Sequence, residues 1–430
     1  MMNPQWPTYM LEDCMEAIID YRGKTPKKTT FGIPLITAKI IKKGTILPVE
    51  EYISPDDYNE WMRRGLPKQG DVVLTTEAPL GEVAQLQNSK VALAQRVVTL
   101  RGKNGFLDNT FLKYLLLDNS VQNLLKSKST GTTVTGIKQR ELRKIKLSFP
   151  PFSEQQAIAH ILGTLDDKIE LNRRQNATLE AVAQAIFKEW FVDFGPVRAK
   201  MEGRQPEGMS REIADLFPDR LDDEGKPEGW EWAVLSDCCE INPKRVLQKN
   251  KYASYLDMSN MPTTNALPHK WNMRNFTSGM KFMNGDTLIA RITPCLENGK
   301  TAFVDFLKNG EVGWGSTEYI VLRPKANISP FWGYLLSKTD EFRKFAIQSM
   351  TGTSGRQRVQ VDQLAGFQIV KAPDTIHNIV KMQFDSIVRK LSKNRNEANI
   401  LIDIRDTLLP KLISGELRVP DAEKMVADIV

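Results

Sequence analysis

Residues 151–194, PFSEQQAIAHILGTLDDKIELNRRQNATLEAVAQAIFKEWFVDF, carry a seam at Ile158, Leu162, Leu165, Ile169, Asn172, Asn176, Leu179, Ala183, Ile186 and Trp190. The steps alternate between four and three residues, the spacing at which one stripe of an α-helix faces a partner helix. At a constant shift of 222 residues the pattern recurs as Val380, Phe384, Ile387, Leu391, Asn394, Ala398, Leu401, Arg405, Leu408 and Leu412. Both runs follow a proline, Pro151 or Pro373, where a strand should end and a helix start. Ser153 with Gln156 has the form of a capping box for the first helix, and Asp374 is placed to cap the second.

The repeat continues upstream, with small gaps of the kind that fall in loops. Trp6 and Leu11-Glu12-Asp13-Cys14 face Trp230 and Leu235-Ser236-Asp237-Cys238. Gly70-Asp71 and Gly285-Asp286 each open an apolar run. Phe111, Tyr114, Leu115 and Leu116 face Phe331, Tyr334, Leu335 and Leu336 on a short helix, capped by Asn109 in one copy and by Ser329 with Pro330 in the other. Thr130-Gly131-Thr132 faces Thr351-Gly352-Thr353. Short alternating runs such as Lys144-Ile145-Lys146-Leu147-Ser148-Phe149, and its partner Gly366-Phe367-Gln368-Ile369-Val370, predict strands. The expected order is a mostly β domain (1–152), a helix (153–194), a connector rich in Pro, Gly and acids (195–229), a second domain (230–374), a second helix (375–418) and a short acidic tail (419–430).

Composition fits this plan. At 430 residues the chain is too long for one ordinary core. With 41% apolar and 26% charged residues it is an ordinary globular mixture. The amino terminus lacks a signal-peptide pattern and no long uninterrupted apolar window occurs, so a cytoplasmic location is expected. Cys14, Cys238, Cys239 and Cys295 form no CxxC pair, and His160, His269 and His377 are scattered, so neither a zinc site nor a disulfide framework is expected. The formal charge of +7 is concentrated in the two domains, with net +7 in residues 1–152 and +5 in 230–374. The helices carry −3 (153–194) and +3 (375–418), as two partners packed together would.

Two loops collect the positive charge. Lys126, Lys128, Lys138, Arg140, Arg143, Lys144 and Lys146 are opposed only by Glu141, and they surround the hydroxyl-rich turn from Ser129 to Gly136, with Thr130, Thr132 and Thr133. In the second copy Arg356 and Arg358 stand beside Thr353 and Ser354, and Arg291 follows an apolar run. Lysines neutralise phosphates, and arginines and hydroxyls read base edges, so these are the candidate DNA contacts. The bland alternative is a set of solvated loops and lysine-protected strand edges.

At this point the chain resembles the DNA-specificity subunit of type I restriction-modification enzymes. The resemblance rests on Phe152-Ser153-Glu154-Gln155-Gln156-Ala157-Ile158-Ala159, Leu165-Asp166-Asp167-Lys168-Ile169, Asn172, and Phe187-Lys188-Glu189-Trp190-Phe191-Val192-Asp193-Phe194, which are similar to the family's central conserved region. Leu408-Leu409-Pro410-Lys411-Leu412-Ile413-Ser414-Gly415-Glu416 is similar to its distal one. The resemblance implies an α+β fold: two α/β target-recognition domains separated by two long antiparallel coiled-coil helices, related by a pseudo-twofold repeat. It implies a non-catalytic subunit that reads a bipartite double-stranded DNA target and docks modification (methyltransferase) subunits, two of them, and restriction (translocase/nuclease) subunits. S-adenosylmethionine, ATP and magnesium would be bound by those partners and none by this chain. A helix of about 40 residues spans roughly 60 Å, enough to hold two domains on DNA patches a helical turn or more apart. In an antiparallel pair, Asn172 and Asn394 are expected near each other, fixing register.

Catalytic motifs are imitated only in part. Gly23-Lys24-Thr25 and Gly299-Lys300-Thr301 lack the glycine a phosphate loop requires, with Ile18 and Pro294 in its place. Phe149-Pro150-Pro151-Phe152 puts Phe149 where an adenine methyltransferase has a polar residue, and Pro420-Asp421 with Glu423 and Lys424 is too compact for a nuclease site. Two rival readings stay open: a diverged fused methyltransferase or nuclease, and a coiled-coil adaptor that does not bind DNA.

Overall fold

A computed structural model of the chain describes residues 6–21, 25–131, 134–353 and 355–427. It divides into two compact units, residues 1–169 with 400–430, and residues 170–399. Each contains one β-rich domain and a stretch of both long helices, which run Phe152–Phe191 and Asp374–Ser414.

The domains repeat the same sheet frame. In the first, Thr8–Met10 pairs antiparallel with Lys146–Ser148, joining the ends of the domain. Its main sheet runs in the order Met15–Asp20, Val97–Gly102, Val72–Thr76, Leu80–Gln85. In the second, Glu231–Val234 pairs with Gln368–Lys371, and the main sheet runs Cys239–Ile241, Tyr319–Pro324, Thr287–Ala290, Thr301–Phe303. A smaller sheet is repeated too: Ile33–Ile36 lies antiparallel to Tyr52–Ile53 and parallel to Ala92–Leu93, as Tyr252–Leu256 lies antiparallel to Asn272–Asn275 and parallel to Gly313–Gly315. The second copy adds the strand Met280–Phe282.

The Gly-Asp pairs explain themselves here. Gly70 and Gly285 both have φ +86°, a left-handed turn that L side chains resist, and each delivers an aspartate to the foot of a central strand. Asp71 is buried and takes a bidentate pair from Arg101, Nε at 2.8 Å and Nη2 at 2.7 Å. Asp286 is likewise buried against Arg245 Nη2 at 2.8 Å and Arg323 Nε at 2.6 Å. A buried carboxylate is tolerated only when paired and hydrogen-bonded, so each couples two strands at a fixed register.

Within each unit the long helices lie antiparallel. In the first unit Asp166 accepts from Tyr114 Oη at 2.6 Å, Lys113 Nζ at 2.9 Å and Arg405 Nη1 at 2.7 Å. Burial pushes this carboxyl up, but Lys113 and Arg405 outweigh it and hold it below the usual range. In the second unit Asn394 Nδ2 donates to Asn176 Oδ1 at 3.0 Å and to Gln175 Oε1 at 3.1 Å, and Asn176 Nδ2 donates to the Leu391 carbonyl at 3.1 Å. Leu162, Leu165, Ile169, Phe384, Leu391 and Leu401 are buried, and Leu179 and Ile387 are half-buried.

Several expectations are corrected. Asn394 pairs with Asn176 rather than Asn172, whose buried Nδ2 has no hydrogen-bond partner among the described residues. The reason is register: with 176 opposite 394, residue 172 lies opposite Ala398, which holds the place of Asn176 in the second copy. The first helix starts at Phe152, so Ser153 sits inside its first turn and no cap of the expected form is made. Gln155 organises this end instead, accepting from Asp108 N at 3.0 Å and donating to the carbonyls of Phe106 and Pro150. Asp108, not Asn109, caps the helix Asn109–Leu117. The connector is partly helical, Gly195–Met201, with Phe217 buried between Trp190 and Trp230, and the expected tail contains a helix, Val419–Ala427.

The second domain is also fastened to the first helix. Glu180 is buried there and accepts from Ala266 N with both oxygens at 3.0 Å. Burial pushes its carboxyl up from 4.5 to about 7.

Two outcomes follow from these contacts. Asn176→Ala strands a buried amide on Asn394 and lowers unfolding free energy by about 1–3 kcal/mol, whereas Ala398→Asn gives Asn172 a partner and raises it by about 1 kcal/mol; denaturant midpoints check both. The raised Glu180 favours the folded state while protonated, a contribution full below about 4.5 and lost as pH rises through about 7. Glu180→Gln therefore flattens the stability profile across that window, as thermal unfolding at stepped pH will register.

Candidate nucleic-acid interface

Strand order brings one set of loops to the same end of each main sheet. In the first domain Thr76 N donates to the carbonyl of Arg96 at 2.8 Å, which places the turn after Val72–Thr76 beside the entry to Val97–Gly102. In the second, Arg291 N donates to the carbonyl of Glu318 at 3.0 Å, the same contact. Both turns carry a cis proline, Ala78-Pro79 and Thr293-Pro294.

The two basic loops dock on these turns. The loop between helices Asn119–Ser127 and Gln139–Arg143 closes through reciprocal bonds between Thr130 and Gly136 at 2.9 and 3.0 Å, and Ile137 N donates to the Thr76 carbonyl at 2.9 Å. Its counterpart forms a small hairpin, Met350–Thr351 with Arg358–Val359, and Val359 N donates to the Arg291 carbonyl at 2.9 Å. Thr293 and Gln357 hold each other, Thr293 N on the Gln357 carbonyl at 3.1 Å and Gln357 N on Thr293 Oγ1 at 3.2 Å. A loop fixed at its base can present its tip without the entropy of ordering it on binding.

The candidate contacts fall into three groups. Lys126, Lys128, Thr130, Lys138 and Arg140 are exposed, and the four cations form no ion pair among the described residues. Thr353 and Arg356 are exposed in the second hairpin. Arg358 and Arg291 are committed differently. Arg358 Nη2 lies 2.8 Å from Glu318 Oε1 and its Nε 3.0 Å from both carboxylate oxygens, while Arg291 Nε lies 3.9 Å from Glu318. Arg358 holds the Glu318 carboxyl below the usual range. Thr132, Thr133 and Ser354 lie outside the described residues.

Sequence reasoning missed this carboxylate. Glu318 stands at the 222-residue shift from Arg96, which forms an ion pair with Glu77 at 2.7 Å. Each basic loop thus has an ion pair beside its base, and the position that carries Arg96 in the first copy carries Glu318 in the second. The repeat shift was the signal that could have found it.

Chemically, the exposed lysines suit phosphate oxygens and the arginine-hydroxyl hairpin suits base edges. Lys300, the lysine of the imitated phosphate loop, instead donates to the Met258 carbonyl at 2.5 Å. The four cysteines are free, and no group of three or more metal-ligating side chains occurs among the described residues. No helix among them is long and apolar enough to cross a membrane.

Comparison with known proteins gives this geometry a family. A family model described as the type I restriction modification DNA specificity domain matches residues 5–181. The chain is 26% identical to the type I restriction enzyme MjaIX specificity subunit of Methanocaldococcus jannaschii, over 97% of this chain and 94% of the relative. It is 26% identical to the HindI specificity subunit of Haemophilus influenzae, over 71% of this chain and 77% of the relative. The crystal structure of a type I restriction-modification S subunit from M. genitalium covers 96% of this chain and 97% of its own, with a TM-score of 0.54 and 16% identity, and so shares the fold. The chain, with its duplicated basic domain and duplicated helix, is similar over almost its whole length to the specificity subunits of type I restriction-modification enzymes.

Proposed function

We propose that the two domains, residues 1–152 and 230–374, are target-recognition domains that each read one half of a split double-stranded DNA sequence, without catalysing a reaction. The observation that carries this reading is the basic loop docked, in both domains, on the turn at the same end of the same sheet. Two weak grips on one chain act as one tight grip through effective concentration. The helices 153–194 and 375–418 serve as spacer and as docking surface for two modification subunits and for restriction subunits, and S-adenosylmethionine, ATP and magnesium work on those partners in the cytoplasm. The segment 195–229 connects the two copies, and 419–430 is a tail after the second helix. Lys126, Lys128, Lys138 and Arg140 hold phosphates, and Thr130, Thr132 and Thr133 are further DNA contacts. Thr353, Ser354 and Arg356 approach base edges, and Arg358 with Arg291 braces the hairpin through Glu318 as much as it touches DNA.

The deciding experiment is methylation of random-sequence DNA by the full chain assembled with its modification subunits. A split consensus is expected; methylation with no such consensus would overturn the reading. Arg356→Ala should relax the second half-site by about 1–3 kcal/mol of base discrimination and leave the first unchanged. Lys128→Ala and Lys138→Ala should instead weaken binding to all sequences alike, each lowering the slope of log affinity against log salt by about one, as salt titration of binding measures.

A further inference from the structure

The two domains share a frame but differ at one loop tip. Between paired residues Leu74 and Val83 the first domain runs through residues 75–82, and between Ile289 and Thr301 the second runs through 290–300, three residues more. Ala78 and Pro79 are exposed in the first copy; in the second Pro294, the counterpart of Pro79, is exposed, and beyond it Glu297 and Asn298 are exposed as well.

This longer tip is tightly built. Asn298 N donates to the Pro294 carbonyl at 2.9 Å, Gly299 N to Leu296 at 2.8 Å and Lys300 N to Cys295 at 3.1 Å, so the backbone satisfies itself. Leu296 is buried in the domain core. Arg343 Nη2 donates to the Glu297 carbonyl at 3.1 Å, and Lys300 Nζ ties the far end to Met258. The near end is the Thr293–Gln357 contact, so the tip is fastened to the basic hairpin itself. Yet the Glu297 and Asn298 side chains make no hydrogen bond or ion pair among the described residues. Rigid backbone presenting uncommitted polar side chains next to a DNA-facing loop is what base reading requires.

We propose that Glu297 and Asn298 are specificity-determining residues of the second domain, reading base edges in the major groove beside the hairpin 350–359. This rests on the DNA-reading function proposed above. The amide of Asn298 offers a donor and an acceptor side by side, the pattern that adenine N7 and N6 complement. The carboxylate of Glu297 accepts only, which suits a cytosine amine and no phosphate. On an otherwise basic edge that carboxylate discriminates rather than adds affinity, since it repels the backbone. The first domain, with Ala78-Pro79 at its tip, has no equivalent reader.

The test uses the full chain with its modification subunits, profiled by methylation of random-sequence DNA. Asn298→Ala and Glu297→Ala should each relax preference at one base pair of the second half-site by about 5- to 100-fold, with the first half-site and the unfolding midpoint unchanged. Asn298→Asp, which exchanges donor for acceptor at nearly constant size, should move the preference at its position away from adenine. An unchanged second half-site, or a uniform weakening over all sequences, overturns the proposal while leaving the two-domain reading in place. A wild-type profile with no split consensus overturns both.

Discussion

A buried amide must find a partner, and in the long helices that requirement fixes register more sharply than apolar packing can. Leucine and phenylalanine tolerate a slip of one turn, because any apolar neighbour will do. Asn394 does not, since only a first helix positioned with Asn176 and Gln175 across from it satisfies its side chain. Asp166 applies the same rule in the other unit, where Tyr114, Lys113 and Arg405 must all reach one carboxylate. Because these partners come from the domain helix as well as from both long helices, setting the register also seats the domain. The loops on each sheet end inherit their position from that seating.

Inside the domains an analogous constraint operates between strands. Asp71 with Arg101, and Asp286 with Arg245 and Arg323, are charges removed from water that would be strongly destabilising if either partner were lost. They sit at the foot of the central strand, opposite the end from which the basic loops rise. The frame is therefore rigid at one end and variable at the other. That division allows tips as different as Ala78-Pro79 and Glu297-Asn298 on one scaffold.

Much of this plan is legible in the sequence because it is periodic. Steps of four and three expose the seam, a constant shift exposes the duplication, and a repeated Gly-Asp pair marks where each apolar run of the main sheet opens. What escaped was whatever depends on an opposite number far away in the chain. Asn172 and Asn394 look equivalent along the sequence, but register gives one of them Asn176 and the other Ala398. Ser153 and Gln156 fit a capping pattern, yet the helix begins earlier and Gln155 finds three backbone partners that no spacing rule announces. Arg358 reads as a free cation until Glu318, forty residues upstream, closes on it. Loop charge could be counted from sequence, but which charges were already spent within the protein could not.

Ala398 has a further meaning for how such a chain can evolve. If two identical half-length chains paired through this seam, every substitution would be present twice, and an alanine here would remove both amide contacts at once. Fusion of the halves lifts that coupling. One copy of the seam can lose its asparagine while the other keeps the register for both, so each half becomes free to drift on its own. Asn172 opposite Ala398 is an asymmetry that only a fused chain can carry.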